Sequence, residues 1–231
     1  MRHLTALLFS SIALSLSASK PPGDPNAFIG SFRMEMHTFK SGKEDKHSPM
    51  NLRYWSTADK LIYAMEMPGQ PQQMRMLTDL RTNSSYTLID DGRGNRTAMK
   101  TKRPEAAASA AKSEKSQVTV TQETRVIEGR TCTKVVAVSS EGTWTGWVDL
   151  SLKNAFTDMA RGMDGQAAQQ SRQARADVDG FPLEFEYVPA KGDERIVGSI
   201  RELVIGKVDE ALFDITGYQL IDMPGFAIPQ R

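Results

Sequence analysis

Methionine and histidine are the residues of this sequence whose types and spacing could do chemistry. The chain has 12 methionines, and several form Met-x-Met pairs: Met34/Met36, Met65/Met67 and Met74/Met76. His37 directly follows the first pair, and Met50 follows His47 closely. Soft thioethers with imidazole suit Cu(I), so Met34, Met36 and His37 form a candidate metal site. The same spacing has a geometric reading. Residues i and i+2 of a strand face the same side, so each pair also fits the apolar face of a sheet, and His37 then points away from Met34 and Met36. Methionine also adapts to irregular apolar ligands. A plain core, the wall of a lipid-holding cleft and a copper site therefore stand as three readings of one pattern.

Other chemistry finds less support. The chain has no Gly-x-Ser-x-Gly elbow, no His-Glu-x-x-His and no P-loop. His37 and His47 stand beside charged or loop residues, as solvated surface histidines do. Gly92-Arg93-Gly94 lies in a turn that a hairpin explains. Asp177-Val178-Asp179-Gly180 falls short of a calcium loop, because Arg175 would take the first ligand position. Asn83-Ser84-Ser85 and Asn95-Arg96-Thr97 match the glycosylation acceptor pattern, which has meaning only in a eukaryotic secretory route. Cys132 is the only cysteine, so no intrachain disulfide forms, and it reads as a small apolar strand residue. The expectation is a protein without catalytic residues and without a cofactor.

The elements that must position these residues are mostly strands. Phe28, Phe32, Met34 and Met36 share one face, and Ser31, Arg33, Glu35 and His37 the other. Gly30 interrupts the first face and reads as a bend. Leu52 and Tyr54, then Leu61, Tyr63, Met65 and Met67, then Met74 and Met76 repeat the alternation, and Tyr86-Thr87-Leu88-Ile89 follows. Turn residues separate these runs, as in Lys40-Ser41-Gly42-Lys43, Pro68-Gly69-Gln70-Pro71 and Asp90 to Asn95; this spacing predicts an antiparallel meander. Pro104 to Lys115 reads as an exposed helix or a linker, because it has helix propensity and almost no bulky apolar face. Strands resume at Gln117–Val120, Arg125–Ile127, Cys132–Val138, Thr143–Leu150, Leu183–Tyr187 and Ile196–Val208. The one helical period is Phe156, Met159, Ala160, Met163 and Ala167. Roughly nine to eleven strands with one apolar face need a cover. The predicted fold is mainly β (α+β): a strongly curved antiparallel sheet forming an open half-barrel, covered by one or two short helices.

Met1-Arg2-His3, the apolar run Leu4 to Leu16 and Ser17-Ala18-Ser19 predict a secretory signal peptide over residues 1–19. Spanning a bilayer takes about 20 apolar residues, more than this run supplies. Residues 20–27, rich in proline, read as a linker, 28–222 as a single domain and 223–231 as a Pro/Gly-rich tail. No cysteine near the cleavage point offers a lipid attachment site. The chain carries 29 Lys and Arg against 28 Asp and Glu; without residues 1–19 it loses Arg2 and no acid. Balanced charge argues against a general nucleic-acid binder. These readings predict a soluble periplasmic or secreted protein, monomeric and without a membrane anchor.

Three segments carry a resemblance: Ile127-Glu128-Gly129-Arg130-Thr131-Cys132-Thr133-Lys134, Gly180-Phe181-Pro182-Leu183-Glu184, and Leu212-Phe213-Asp214-Ile215-Thr216-Gly217-Tyr218. Together they resemble an uncharacterised family of exported bacterial proteins related to the LolA-like lipoprotein-carrier superfamily. The likeness covers most of the chain after residue 19. Thr216 stands where that family usually has proline. The resemblance offers no catalytic residues. It implies a curved sheet with a hydrophobic cleft able to hold an acyl chain, and so a carrier-like protein that binds a lipid or lipoprotein acyl group without turnover. Phe32, Met34, Met36, Tyr54, Tyr63, Met65, Met74 and Met76 are then expected to line the cleft, with Phe156, Met159 and Met163 plugging it. The alternatives are a Met/His copper protein of the envelope and a structural or partner-binding module without a ligand.

Overall fold

The computed structural model describes residues 28–66, 73–102, 116–152 and 180–223. Within them the alternating sequence forms one 13-stranded sheet. The first half supplies β1 (Gly30–Lys40), β2 (Lys43–Glu44), β3 (Met50–Ser56), β4 (Lys60–Glu66), β5 (Gln73–Asp79), β6 (Ser84–Asp90) and β7 (Arg96–Lys102). The second half supplies β8 (Gln117–Ile127), β9 (Arg130–Val138), β10 (Gly142–Asp149), β11 (Phe181–Pro189), β12 (Glu194–Ile205) and β13 (Gln219–Asp222). Their spatial order is β13-β7-β6-β5-β4-β3-β1-β12-β11-β10-β9-β8, with β2 flanking β1. Each half is a meander, and the long β1–β12 pairing joins them. β8 and β13 remain as edges, so the curved sheet stays unclosed.

Two expectations need correction. The sheet is not wholly antiparallel, because β13 runs parallel to β7. The covering helices are not borne out: the helical element among the described residues is one 3-10 turn, Glu210–Phe213, capped by the Asp209 carboxylate. Phe156, Met159 and Met163, and likewise residues 1–27 and 103–115, lie outside the described residues.

The sheet has an apolar cluster on each face. The concave face holds the larger one, where Phe28, Phe32, Tyr54, Leu61, Phe181, Leu183, Val148 and Ile200 are buried. Phe32 stacks on Tyr54 at 4.8 Å and meets Phe181 at 5.2 Å, while Phe28 stacks on Phe181 at 5.8 Å. Each such side chain contributes about 1.5–3 kcal/mol by leaving water. On the convex face, Ile62, Leu77, Leu88 and Ala98 form a second, smaller cluster under Phe213. Val208, Leu212, Ile215 and Tyr218 pack around it. The segment after β12 is therefore a strap that covers the outside of β4 to β7. Elsewhere the convex face is charged: Arg53 meets Glu66 at 2.5 Å, Arg201 meets Glu184 at 3.3 Å, and Arg125 lies 4.4 Å over Trp147.

A bulge in β12 sets Glu202 and Leu203 opposite Phe32 alone, and Glu202 takes the left-handed φ of 55°. Such insertions bend a strand and increase its twist. Glycines on the concave face let the sheet carry large rings flat against it. A Cβ on Gly146 would lie 2.2 Å from Cη2 of Trp144, and one on Gly198 2.2 Å from Cζ of Phe185.

Cys132 is fully buried in the concave cluster and unpaired. Burial, reinforced by the Asp149 charge, pushes its thiol up to about 11. Asp149 is itself buried; desolvation works against its charge, but hydrogen bonds from Ser151 and Arg130 outweigh it and hold the carboxyl below its ordinary value. The reactive species of a thiol is the thiolate. Native protein is therefore expected to leave Ellman's reagent unreacted at pH 8 and to consume one equivalent once unfolded in guanidinium. Rapid reaction of the native chain would contradict the burial.

Candidate functional site: the open end of the concave face

The two ends of the concave face differ. At the end where β1 begins, aromatic and branched side chains fill the space, as described above. At the other end β1, β4 and β11 finish while β3, β5, β10 and β12 begin. There the apolar residues of β4 and β5, Met65 and Met74, are thinly covered. One cross-strand row shows the change directly. It runs Ile200–Met34–Leu52–Met65 through paired positions, then to Met74, one position beyond the Ala64–Arg75 pair, and on to Ile89 and Thr97. Ile200 is wholly buried, Met34 and Leu52 are 4% exposed, Met65 is 40% and Met74 45% exposed.

Neighbouring rows continue this wall. Tyr54, Tyr63, Met76, Thr87 and Met99 are successive partners. Met76 is half-buried, and its Sδ accepts a hydrogen bond from the Thr87 hydroxyl at 3.3 Å. On the other side Met36 pairs with both Met50 and Gly198, and Gly198 pairs with Phe185, which pairs with Gly146. The next row is Thr38–Ile196–Tyr187–Trp144–Ala137–Val118. Met36, Met50, Ile196, Tyr187 and Val118 are half-buried. These rows contain methionine, aliphatic, aromatic, glycine and threonine residues and no charged side chain.

The expected cleft residues therefore separate into two groups. Phe32, Met34, Tyr54 and Tyr63 are buried in the packed core. Met36, Met65, Met74 and Met76 stand at the thinly covered end. The strand registers set all eight on one face, but alternation carries no signal of where along a strand the packing stops.

Met34, Met36 and His37 do not converge. The two methionines face the concave side; His37 faces the convex side. There its Nδ1 lies 2.6 Å from Glu44 Oε1 and its Nε2 2.8 Å from Glu35 Oε1. Both ring nitrogens are thus engaged by carboxylates, and among the described residues no group of three or more His, Cys, Asp or Glu side chains could hold a metal ion. The Glu35 hydrogen bond, followed by that of Glu44, raises the His37 pKa above the ordinary 6.5. A raised folded-state pKa adds stability that is complete below the unfolded value and is lost as pH rises through the folded one. NMR titration is expected to find His37 titrating above 6.5 and Glu44→Gln bringing it down. A His37 pKa at or below 6.5 in the native chain would contradict this clamp.

Trp144 is the site residue that alternation did not single out. It is 4% exposed, stacked on Phe185 at 6.4 Å, and its ring lies over Gly146. Its Nε1 is buried without an acceptor among the described residues. The signal in the sequence is Trp144-Thr145-Gly146: a bulky ring two residues before a glycine shares a strand face with it.

Fold and site together define an open, strongly curved β-sheet domain with an uncharged, methionine-rich mouth. The chain belongs to a family described as a domain of unknown function (DUF4412), whose model matches residues 28–217. No curated protein matches it. Among solved structures it is similar to PNGF-II, at 13% identity and a TM-score of 0.39 over 84% of this chain, and it spans only 32% of the PNGF-II chain. It is also similar to a DUF1329 family protein from Desulfovibrio piger ATCC 29098, at 9% identity and a TM-score of 0.33, with 82% and 91% of the two chains covered. A further likeness is to a Vibrio parahaemolyticus domain assigned by name to outer membrane lipoprotein sorting, at 9% identity and a TM-score of 0.32, with 81% and 90% covered. Among the described residues no helix is long and apolar enough to cross a membrane.

Proposed function

We propose that this protein is an exported, carrier-like domain that holds an apolar ligand, an acyl chain of a lipid or lipoprotein, against the open end of its concave face without turning it over. The observation that carries this reading is the change of burial along one apolar row, from Met34 at 4% to Met65 at 40% and Met74 at 45%. Exposed large apolar side chains side by side on a concave surface mark a binding site more often than chance does. Methionine suits such a wall, because its flexible thioether fills irregular apolar contacts. The uncharged rows favour a neutral aliphatic ligand over an anion or a nucleic acid, since charge buried there would find no partner. The Met1–Ser19 segment, read as a signal peptide, supports export, and an acyl chain outside the cytoplasm needs a shielded surface to cross water.

Native mass spectrometry after gentle purification tests the reading, together with uptake of a fluorescent fatty acid ester. The expected result is an adduct of acyl-lipid mass, or saturable uptake with a blue shift of the probe. A bare polypeptide mass combined with no uptake would overturn it.

A further inference from the structure

Sulfur is distributed unevenly between water and core in this protein. Among the described residues, Met65 and Met74 are the exposed methionines. They stand on adjacent strands, one position beyond the Ala64–Arg75 pair, so their side chains are cross-strand neighbours on one wall. The other soft nucleophiles are withheld. Met34 is buried between Leu52 and Ile200. Met36, Met50, Met99 and Met223 are half-buried. Met76 is half-buried too, and its Sδ accepts the Thr87 hydroxyl at 3.3 Å, which engages the lone pair that an oxidant needs. Cys132, the only thiol, is fully buried, and burial keeps it protonated with a pKa of about 11; the reactive form of a thiol is the thiolate. Sulfur oxidation follows exposure, so an oxidant in solution meets the mouth before the core.

Oxidation there changes what the wall presents. A thioether is apolar, whereas a sulfoxide is polar and accepts hydrogen bonds from water. An acyl chain laid over it strips that water and brings no donor in its place. Folding is affected far less, because both side chains already meet water.

We propose that Met65 and Met74 form an oxidation switch: hydrogen peroxide converts them to sulfoxides, and the modified mouth releases its apolar ligand. The effect on binding rests on the acyl-binding reading above; the selectivity of the oxidation does not. At each methionine a sulfur lone pair attacks one peroxide oxygen, so that an S–O bond forms and the O–O bond breaks. Sulfur gives up two electrons. The second oxygen leaves as hydroxide, takes the proton of the first and departs as water. Reversal consumes two thiols, which become a disulfide while the sulfoxide oxygen leaves as water, and each sulfoxide epimer needs its own reductase.

The test exposes the native full chain to graded hydrogen peroxide and follows peptide masses, binding of the fluorescent fatty acid ester and guanidinium unfolding. The Met65 and Met74 peptides are expected to gain one oxygen each before those of Met34, Met36, Met50 and Met76. At that stage affinity should fall about tenfold, the scale of a polar group covered without a partner, with the unfolding midpoint nearly unchanged. Treatment with both methionine sulfoxide reductases and dithiothreitol should restore it. Met65→Leu/Met74→Leu, compared with its own untreated affinity, should hold that affinity through the same dose. Equal rates of oxidation at Met34 and at Met65 and Met74 would overturn the selectivity. Full affinity in protein oxidised at both residues would overturn the switch and leave acyl binding standing. Untreated protein that takes up no ester would remove the acyl reading, and the switch with it, whatever the order of oxidation.

Discussion

Gly198→Ala is expected to lower the stability of the folded chain by about 3 kcal/mol, at the upper end of what one added methyl costs in a filled core. The backbone is not the obstacle, because Gly198 lies within β12 without a left-handed φ. The obstacle is the ring of Phe185 from the neighbouring strand, whose Cζ, Cε1 and Cε2 would lie 2.2, 2.3 and 2.8 Å from the new carbon. Phe185 is 4% exposed and stacks against Trp144, so it cannot move out without displacing its neighbours. In a chain of this size the loss corresponds to a fall in melting temperature of about 6–12 °C. Guanidinium unfolding should show the midpoint falling with an unchanged slope, the sign of altered stability rather than altered compactness. Shortening the ring tests the mechanism: Phe185→Leu in the Gly198→Ala background should restore most of the loss, although Phe185→Leu alone destabilises. Such rescue is the coupling expected of residues in contact. Gly198→Ala with wild-type stability would mean that the ring does not rest on the glycine.

That pair also marks the boundary of what the sequence makes legible. The alternation of Phe28, Phe32, Met34 and Met36, and of Leu61, Tyr63 and Met65, is a local signal of period 2, and it survives folding because the pleat enforces it. Turn residues behaved likewise: Ser41-Gly42 and Glu128-Gly129 close hairpins with positive φ at both positions. Glycines inside strands were less informative. Gly30 reads as a bend, yet a Cβ there would strike the Phe28 ring and the Val204 carbonyl, and its meaning depends on a neighbour distant in sequence. The convex cluster was hidden for a similar reason. Ile62, Leu77, Leu88 and Ala98 come from four strands that mix polar and apolar residues on that face, and the cover of Phe213 and its neighbours makes them a core. The Leu212–Tyr218 segment was recognisable by resemblance, while its role as a cover was not. For the site, period 2 assigns the face; the depth of each methionine depends on curvature, and curvature arises from bulges and glycines that the period does not encode.

The separation of depth from face yields a prediction with opposite outcomes at residues of the same type and row. Met65→Lys/Met74→Lys is expected to leave folding nearly unchanged, because both side chains already meet water at 40% and 45% exposure and substitutions at such positions usually stay within about 0.5 kcal/mol each. It should nevertheless weaken binding of the fluorescent fatty acid ester by about tenfold or more, since an acyl chain laid on the wall would have to strip water from two ammonium groups. Met34→Ala should do the reverse. Met34 is 4% exposed between Leu52 and Ile200, and its truncation leaves a cavity costing about 2–5 kcal/mol, with affinity of the remaining folded protein close to wild type. Measuring chemical denaturation and probe titration on the two variants side by side separates a wall from a core. An unchanged affinity in the double lysine variant would move the ligand away from β4 and β5. A large loss of stability in that variant would show instead that Met65 and Met74 are packed, and that the concave face is filled to its rim.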